Sequence, residues 1–159
     1  MKKFELTSET KINIFGKKLF RIKALISFGN VEAGETGGWV EKEENVNQSG
    51  DAWVSGNVWV SGNAWVSGDA RVSGNAEVSG NAEVSGNADY TTIRGFGTQF
   101  RTTTFFRCKD KQVKVSCGCF YGTIPEFREQ VKNTRKGKIA EEYLMIADLM
   151  EKHFAEEAK

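Results

Sequence analysis

A six-residue period of apolar and polar positions dominates the middle of the chain. Valine recurs at every sixth position, and a small apolar residue stands two positions before each valine, with one variable residue between them. Because successive side chains of a strand point to opposite faces, we expect the valine and the small residue to point inward and the variable residue outward. The valines are Val54, Val60, Val66, Val72, Val78 and Val84, and the small residues are Ala52, Val58, Ala64, Ala70, Ala76, Ala82 and Ala88.

Each of these short segments is followed by Ser-Gly-Asn or Ser-Gly-Asp, and Gly and Asn accept the left-handed backbone angles of a sharp corner. A short strand plus a corner makes one side of a triangular coil, as in hexapeptide β-helices, so residues three repeats apart should stack. The sequence therefore predicts a mainly β fold built on a short three-sided hexapeptide-repeat β-helix. We expect a left-handed coil, although the sequence does not settle the hand.

Both flanks of the repeat predict caps for this coil. Residues 3–28 alternate between apolar and polar, with a turn at 15–18, which indicates N-terminal β-strands. Residues 99–107 alternate as well and 113–120 return, which predicts a C-terminal β-hairpin. In this hairpin Cys108 would face Val113, and Cys117 would face about Thr104.

Two α-helices are predicted after the hairpin. Thr123 and Glu126 form a capping box with Pro125 in the first turn, so a first helix should run to about Asn133. A second helix should run from 138 to about 154, with a packing stripe of Ile139, Tyr143, Ile146 and Met150. The predicted divisions are 1–39 for the N-terminal β cap, 40–93 for the β-helix, 94–122 for the hairpin and 123–159 for the helical pair.

The variable residue of the repeat changes from tryptophan to charge. In chain order it is Trp53, Trp59, Trp65, Arg71, Glu77, Glu83 and Asp89. With three repeats per turn, Arg71 should lie over Trp53, Glu77 over Trp59 and Glu83 over Trp65. Asp89 should follow Arg71 in the first of these columns. Exposed tryptophans mark contact surfaces. We interpret the three tryptophans as a homo-oligomer interface, with a trimer favoured. A stacking surface for a planar ligand, or coverage by the chain's own flanking segments, are the alternatives.

Charge adds an uneven distribution to this picture. The net charge is +1, which offers no argument for DNA, RNA or a membrane surface as a partner, yet residues 1–30 carry +5, 31–90 carry −8, 91–122 carry +5 and 123–159 carry −1. The sequence contains neither a membrane-length apolar stretch nor a signal peptide, and its 3 cysteines lack a disulfide-framework spacing. A reducing cytoplasm is therefore the expected location.

A candidate anion site lies on one face of the predicted hairpin. Arginine forks and threonine hydroxyls suit phosphate or carboxylate groups, and aromatic rings suit bases. The candidate ligand-binding residues are Arg94, Arg101, Phe105, Arg107 and Lys109. The alternative is that the arginines pair with the acidic repeat.

Other chemistry is disfavoured. Cys108, Cys117 and Cys119 with His153 suggest zinc, but the hairpin register separates Cys108 from the other two by about 13 Å, too far for a shared ion. Hexapeptide acyltransferases use a histidine in a cleft between coils, and His153 is the single histidine and lies outside the repeat. We therefore expect neither a catalytic role nor a metal or other cofactor, with acyl transfer as a remote alternative.

The whole chain resembles a family of uncharacterised proteins encoded by bacteriophages and prophages. The resemblance rests on VEAGETGGWVEKEENV, GNAWVSGDARVSG, FFRCKD, VSCGCFYGTIPEF and AEEYLMIADLMEKHF. It implies no catalytic residue. By analogy with phage sponges, it favours an oligomeric binding protein in the host cytoplasm that sequesters an anionic, nucleotide-type immune signal, as an anti-defence function. The alternative is a structural or interaction protein, a trimer or short polymer that binds a host or virion protein.

Overall fold

A computed structural model describes residues 2–155 of the chain; the last four residues of the predicted helical pair, 156–159, lie outside the described residues. Within this range, two groups of longer β-strands flank the repeat, and two α-helices follow at the C-terminal end. No helix among these residues is long and apolar enough to cross a membrane.

The N-terminal segment forms an antiparallel meander of three strands. Strand β1 (Phe4–Ile12) pairs with β2 (Lys18–Ala24), and β2 pairs with β3 (Thr36–Val40). The predicted turn between the first two strands is therefore confirmed. The pairing of β1 with β2 shifts between Leu6 and Thr10, so a bulge interrupts the edge strand near its middle.

The repeat forms six strands of two residues each. They are β4 (Trp53–Val54), β5 (Trp59–Val60), β6 (Trp65–Val66), β7 (Arg71–Val72), β8 (Glu77–Val78) and β9 (Glu83–Val84). β4 pairs in parallel with β7, β5 with β8 and β6 with β9, which confirms the predicted stacking of residues three repeats apart. The six valines are at most 1% exposed, and the small residues from Ala52 to Ala82 are also buried, so the predicted inward positions are confirmed up to that point.

The prediction of a continuous three-sided β-helix is wrong. The strands of the repeat belong to several small sheets: β5 and β8 extend the N-terminal meander into a five-stranded mixed sheet, whereas β4–β7 and β6–β9 are separate two-stranded sheets. The repeat supplies two strands for each side and then ends, because the chain leaves it in a 3-10 turn at Asn87–Asp89. Ala88 is exposed there and Asp89 pairs with no strand, contrary to the prediction for both residues.

The carbonyl groups at one open edge of the repeat receive donors from the N-terminal segment. The donors are the Lys3 ammonium on the first side, the backbone of β3 and the residue after it on the second, and the Asn45 side-chain amide on the third. The carbonyls that these donors satisfy belong to Gly50 and Ala52, to Val58 and Val60, and to Gly62 and Ala64. Because an unpaired buried carbonyl is costly, these contacts stabilise the edge at which the repeat begins.

The C-terminal part consists of a four-stranded antiparallel sheet and two helices. The strands are β10 (Tyr90–Phe96), β11 (Arg101–Arg107), β12 (Val113–Cys117) and β13 (Phe120–Thr123), in that order. The helices are α1 (Ile124–Thr134), with Thr123 and Glu126 in a capping box, and α2 (Gly137–Phe154), which confirms both predicted helices.

The predicted hairpin corresponds to β11 and β12, and it lies in the middle of this sheet. Its register differs by one residue from the prediction, since Cys117 faces Thr103. Phe106 packs into the core of the repeat, whereas Phe105 packs against the helices. One face of β11 is therefore buried against the repeat, and the opposite face is buried against the helices.

Candidate functional site

A cleft of about 170 Å³ lies between the C-terminal sheet and the two helices. We call it the helix–sheet cleft. The β10–β11 connection, the β12–β13 turn, α1 and the beginning of α2 each contribute to its lining. The side chains that bear on its chemistry are those of Phe96, Arg101, Cys117, Cys119, Phe120, Arg135 and Tyr143.

Two glycines let polar side chains of the cleft approach the backbone: Gly118 lines the cleft, and Gly97 lies between the lining residues Phe96 and Thr98. Gly118, in the tight turn between β12 and β13, has a φ of +59°, and an added Cβ would lie 2.5 Å from a guanidinium nitrogen of Arg101. Gly97 has a φ of +78°, and an added Cβ would lie 2.5 Å from the hydroxyl oxygen of Tyr143. Glycine thus provides both the left-handed backbone and the space that these two side chains occupy.

The electrostatics of the cleft favour a negative ligand. Neither Arg101 nor Arg135 forms a salt bridge within residues 2–155, and no carboxylate is among the residues that line the cleft there. Burial raises the pKa of the Tyr143 hydroxyl, and nearby Cys117 raises it further, while Arg135 and Arg101 oppose the shift. The tyrosine therefore stays protonated at neutral pH, and its hydroxyl is a hydrogen-bond donor beside the two arginines that line the cleft.

Of the five predicted ligand-binding residues, the structure places one in this cleft. Arg101 is exposed there, and its guanidinium donates to the Gln99 side-chain oxygen at 2.5 Å. Arg94 is also exposed, but it lies on the edge strand β10 and does not line the cleft. These two arginines therefore differ in surroundings although both lie on the same sheet.

The other three predicted residues have structural partners. Phe105 is fully buried and packs edge-on against Phe127, with the ring centroids 6.1 Å apart. It is therefore not accessible to a ligand, and the prediction for this residue is wrong. Arg107 forms an ion pair with Asp89 at 3.3 Å, as the alternative of pairing with the acidic repeat predicted. The ammonium of Lys109 donates to the backbone carbonyl of Asn63 at 3.1 Å and so ties the hairpin to the repeat.

The three repeat tryptophans do not form one exposed surface. Trp53 is 3% exposed and packs against the rings of Phe4 and Phe28, with centroid-to-centroid distances of 6.2 and 5.3 Å. Trp59 is 7% exposed beneath the N-terminal meander, whereas Trp65 is 38% exposed. The predicted oligomer interface through Trp53 and Trp59 is therefore wrong, because the chain's own flanking segments cover these two side chains.

The cysteines do not come together around an ion. Cys108 is buried beside Ala82 of the repeat, and burial raises its pKa to about 11. Cys117 and Cys119 flank the turn at the cleft, and the Thr103 hydroxyl lies 3.2 Å from the Cys117 sulfur. Within residues 2–155 no group of three or more metal-ligating side chains is present.

Sequence reasoning missed Arg135 and Tyr143. The sequence places Tyr143 in the packing stripe of α2, and it is 5% exposed within the helix core, but it also lines the cleft. Arg135 directly follows the last residue of α1. The sequence signal for it is an arginine with no acidic residue in the preceding helical turn, so that no partner for its charge is evident nearby. No spacing in the sequence indicates that Arg101 and Arg135 face one cleft.

In comparison with known proteins, no family model matches the chain, and no curated protein gives a significant match.

Proposed function

We propose that the protein is a non-catalytic binding protein that holds a small anionic molecule in the helix–sheet cleft. The observation that carries this proposal is the pair Arg101 and Arg135 beside the Tyr143 hydroxyl, without a carboxylate among the described lining residues. Two guanidinium groups without acidic partners favour an anion, because the one hydrogen bond that they make within residues 2–155, from Arg101 to the neutral Gln99 side chain, leaves their charge uncompensated.

The volume of the cleft and the aromatic rings in its lining restrict the class of ligand that fits it. Its volume of about 170 Å³ is below the roughly 300 Å³ at which sites begin to enclose a drug-sized ligand, so it holds one end of a larger molecule. Phe96 and Phe120 offer apolar ring surface on which a planar group can stack. A phosphate or carboxylate attached to a planar ring, as in a nucleotide, matches both features.

The resemblance to phage-encoded proteins suggests the biological role of such a binding protein. The stretches VSCGCFYGTIPEF and AEEYLMIADLMEKHF, on which the resemblance partly rests, supply Cys117, Phe120 and Tyr143 to the cleft. A phage protein that binds a nucleotide-type immune signal without converting it lowers the free signal in the host cell. We therefore propose an anti-defence sponge in the host cytoplasm.

The test is a thermal-melting screen of the full chain against cyclic di- and trinucleotides, ADP-ribose derivatives and inorganic phosphate. We expect one nucleotide-type compound to raise the melting temperature by several degrees. Arg101→Ala and Arg135→Ala should each weaken its binding by about 10- to 100-fold, the loss of one charge-assisted hydrogen-bonding group. Arg94→Ala is the matched control, because it removes an exposed arginine of the same sheet outside the cleft, and it should bind normally.

Two outcomes contradict the proposal. If no compound raises the melting temperature, and native mass spectrometry of protein purified from infected cells shows no retained small molecule, the binding function is refuted. If a compound binds and Arg94→Ala weakens it as much as Arg101→Ala does, the ligand lies elsewhere and the site assignment fails.

A protein-interaction role is the second candidate, and one observation favours it. Met145 and Leu149 are 69% and 56% exposed, one helical turn apart on the outer face of α2. Exposed apolar pairs of this kind are typical of contact surfaces. Light scattering distinguishes the interaction role from the small-molecule binding role. The interaction role is supported if the mass grows with protein concentration and if the Met145→Ser/Leu149→Ser variant has the mass of a monomer.

A further inference from the structure

The tip of the β1–β2 hairpin carries the densest run of exposed apolar side chains within residues 2–155. Ile12, Ile14 and Phe15 are 70%, 62% and 41% exposed, and they fall within four consecutive residues. Most other large exposed apolar side chains of the described range stand alone, the pair on α2 excepted. A run of this kind on the surface indicates a binding surface for another apolar phase.

Much of the backbone of this tip is hydrogen-bonded within the turn, through the N–H groups of Asn13, Phe15, Gly16 and Lys17. The side-chain oxygen of Asn13 accepts from the N–H groups of Phe15 and Lys17, at 3.0 and 2.9 Å. The carbonyl of Asn13 accepts from the N–H of Gly16, and its N–H donates to the carbonyl of Lys17, both at 3.0 Å. These bonds lower the cost of placing the turn against a medium that offers few hydrogen bonds, although the side-chain amide nitrogen of Asn13 has no partner among the described residues.

Positive charge surrounds the apolar tip. Residues 11–18 contain Lys11, Lys17 and Lys18 and no acidic residue, a local charge of +3 in a chain whose net charge is +1. The nearest carboxylate along the strand, Glu9, faces Arg21 at 3.5 Å. The Lys11 ammonium lies over the Trp39 ring, 4.5 Å from its centroid, whereas Lys17 and Lys18 are exposed. Exposed apolar side chains next to exposed lysines combine insertion into acyl chains with attraction to anionic headgroups.

We propose that this hairpin tip docks the protein on an anionic lipid surface. Ile12 and Ile14 enter the boundary of the headgroups, and Lys17 and Lys18 remain at headgroup level. The Phe15 ring, which packs edge-on against Trp59 at a centroid distance of 6.1 Å, stays with the protein. A second copy of the chain is the less favoured occupant, because two tips of charge +3 repel each other. The bulge between Leu6 and Thr10 also disrupts the free edge of β1 that a second copy would extend. This inference does not depend on the helix–sheet cleft.

The test is flotation of the full chain with two kinds of vesicle, phosphatidylcholine alone and phosphatidylcholine with phosphatidylserine. We expect binding to the anionic vesicles, decreasing with salt, and little binding to the neutral ones. Ile12→Ser/Ile14→Ser should lower the partition coefficient by about tenfold or more, and Lys17→Glu/Lys18→Glu should abolish the salt dependence. Leu25→Ser/Phe100→Ser is the matched control, since it removes two exposed apolar side chains that stand alone elsewhere and should bind like the wild type.

The proposal is overturned if the wild type does not float with anionic vesicles, or if Ile12→Ser/Ile14→Ser floats as well as the control. All altered residues are exposed, so melting curves should remain within a few degrees of the wild type; the lysine variant provides a second measurement if the isoleucine variant unfolds. If the wild type self-associates without vesicles and the tip variants are monomeric, a second copy is the occupant and the lipid proposal is wrong.

Discussion

Asn45 is the residue whose replacement tests the account of how the repeat begins. It is fully buried, and its side-chain amide donates to the carbonyls of Gly62 and Ala64 at 3.2 and 2.9 Å. Its side-chain oxygen accepts from the backbone N–H of Lys42 at 2.9 Å. One side chain therefore satisfies three backbone groups at the open edge of the repeat.

We expect Asn45→Ala to lower the free energy of unfolding by about 2–4 kcal/mol. A buried polar group that loses its partner costs about 1–3 kcal/mol, and Asn45→Ala leaves two carbonyls and one N–H without theirs. The value lies below the sum of three such costs, because water can reach part of the edge once the side chain is gone. The measurement is urea unfolding followed by tryptophan fluorescence, with the slope m unchanged.

Two further variants make the test specific. Asn57→Ala is the matched control, since Asn57 is exposed and its amide bonds only the Asn75 side chain, at 3.1 Å, so the change should stay within about 0.5 kcal/mol. Asn45→Asp retains the acceptor for Lys42 but has no donor when ionised, so it should be destabilised at neutral pH and recover partly on acidification, because the protonated form donates one bond. Equal stabilities of the Asn45→Ala and Asn57→Ala variants would refute the reasoning.

Three other predictions follow from the structure. Burial lowers the pKa of Lys3 to about 8 from 10.5, so the unfolded chain binds an extra proton between these values. The free energy of unfolding should therefore rise between about pH 8 and pH 10.5, and urea unfolding across this range should show no such rise in Lys3→Met. Trp53→Ala should cost about 3–5 kcal/mol and Trp65→Ala less than about 1 kcal/mol in chemical unfolding, and similar losses would contradict the packing described. Gly68→Ala should lower the melting temperature more than Gly74→Ala, because both glycines have positive φ but only the Cβ at Gly68 would clash with a backbone carbonyl; an equal decrease would show that strain in φ alone decides.

Local patterns in the sequence predicted the elements that depend on local physics. The valine period identified the buried residues and the stacking of β4 on β7, because the direction of a side chain follows from its place in the strand. The turn after Ile12 and the capping box at Thr123 were likewise readable, since each uses residues a few positions apart.

The candidate site was predicted only in part, because its members meet through tertiary packing. Arg101 was predicted from the hairpin face, but Arg135 and Tyr143 reach the same cleft through the packing of the helices on the sheet. Phe105 shares the alternating face with Arg101, yet it is buried by Phe127 of α1. An alternating strand therefore predicts which residues share a face, and it does not predict what covers that face.

The same distinction separates what the sequence determined from what the tertiary structure decided. By itself the sequence determined the inward valines, the corners between the short strands and the two helices, since these depend on backbone preferences and on the spacing of apolar residues. The tertiary structure decided that the repeat ends at Asn87–Asp89 and divides among several sheets, and that Trp53 is covered while Trp65 is exposed. Those outcomes depend on which distant segment buries the most apolar surface and supplies the missing hydrogen bonds, and a period of six residues contains no information about such partners.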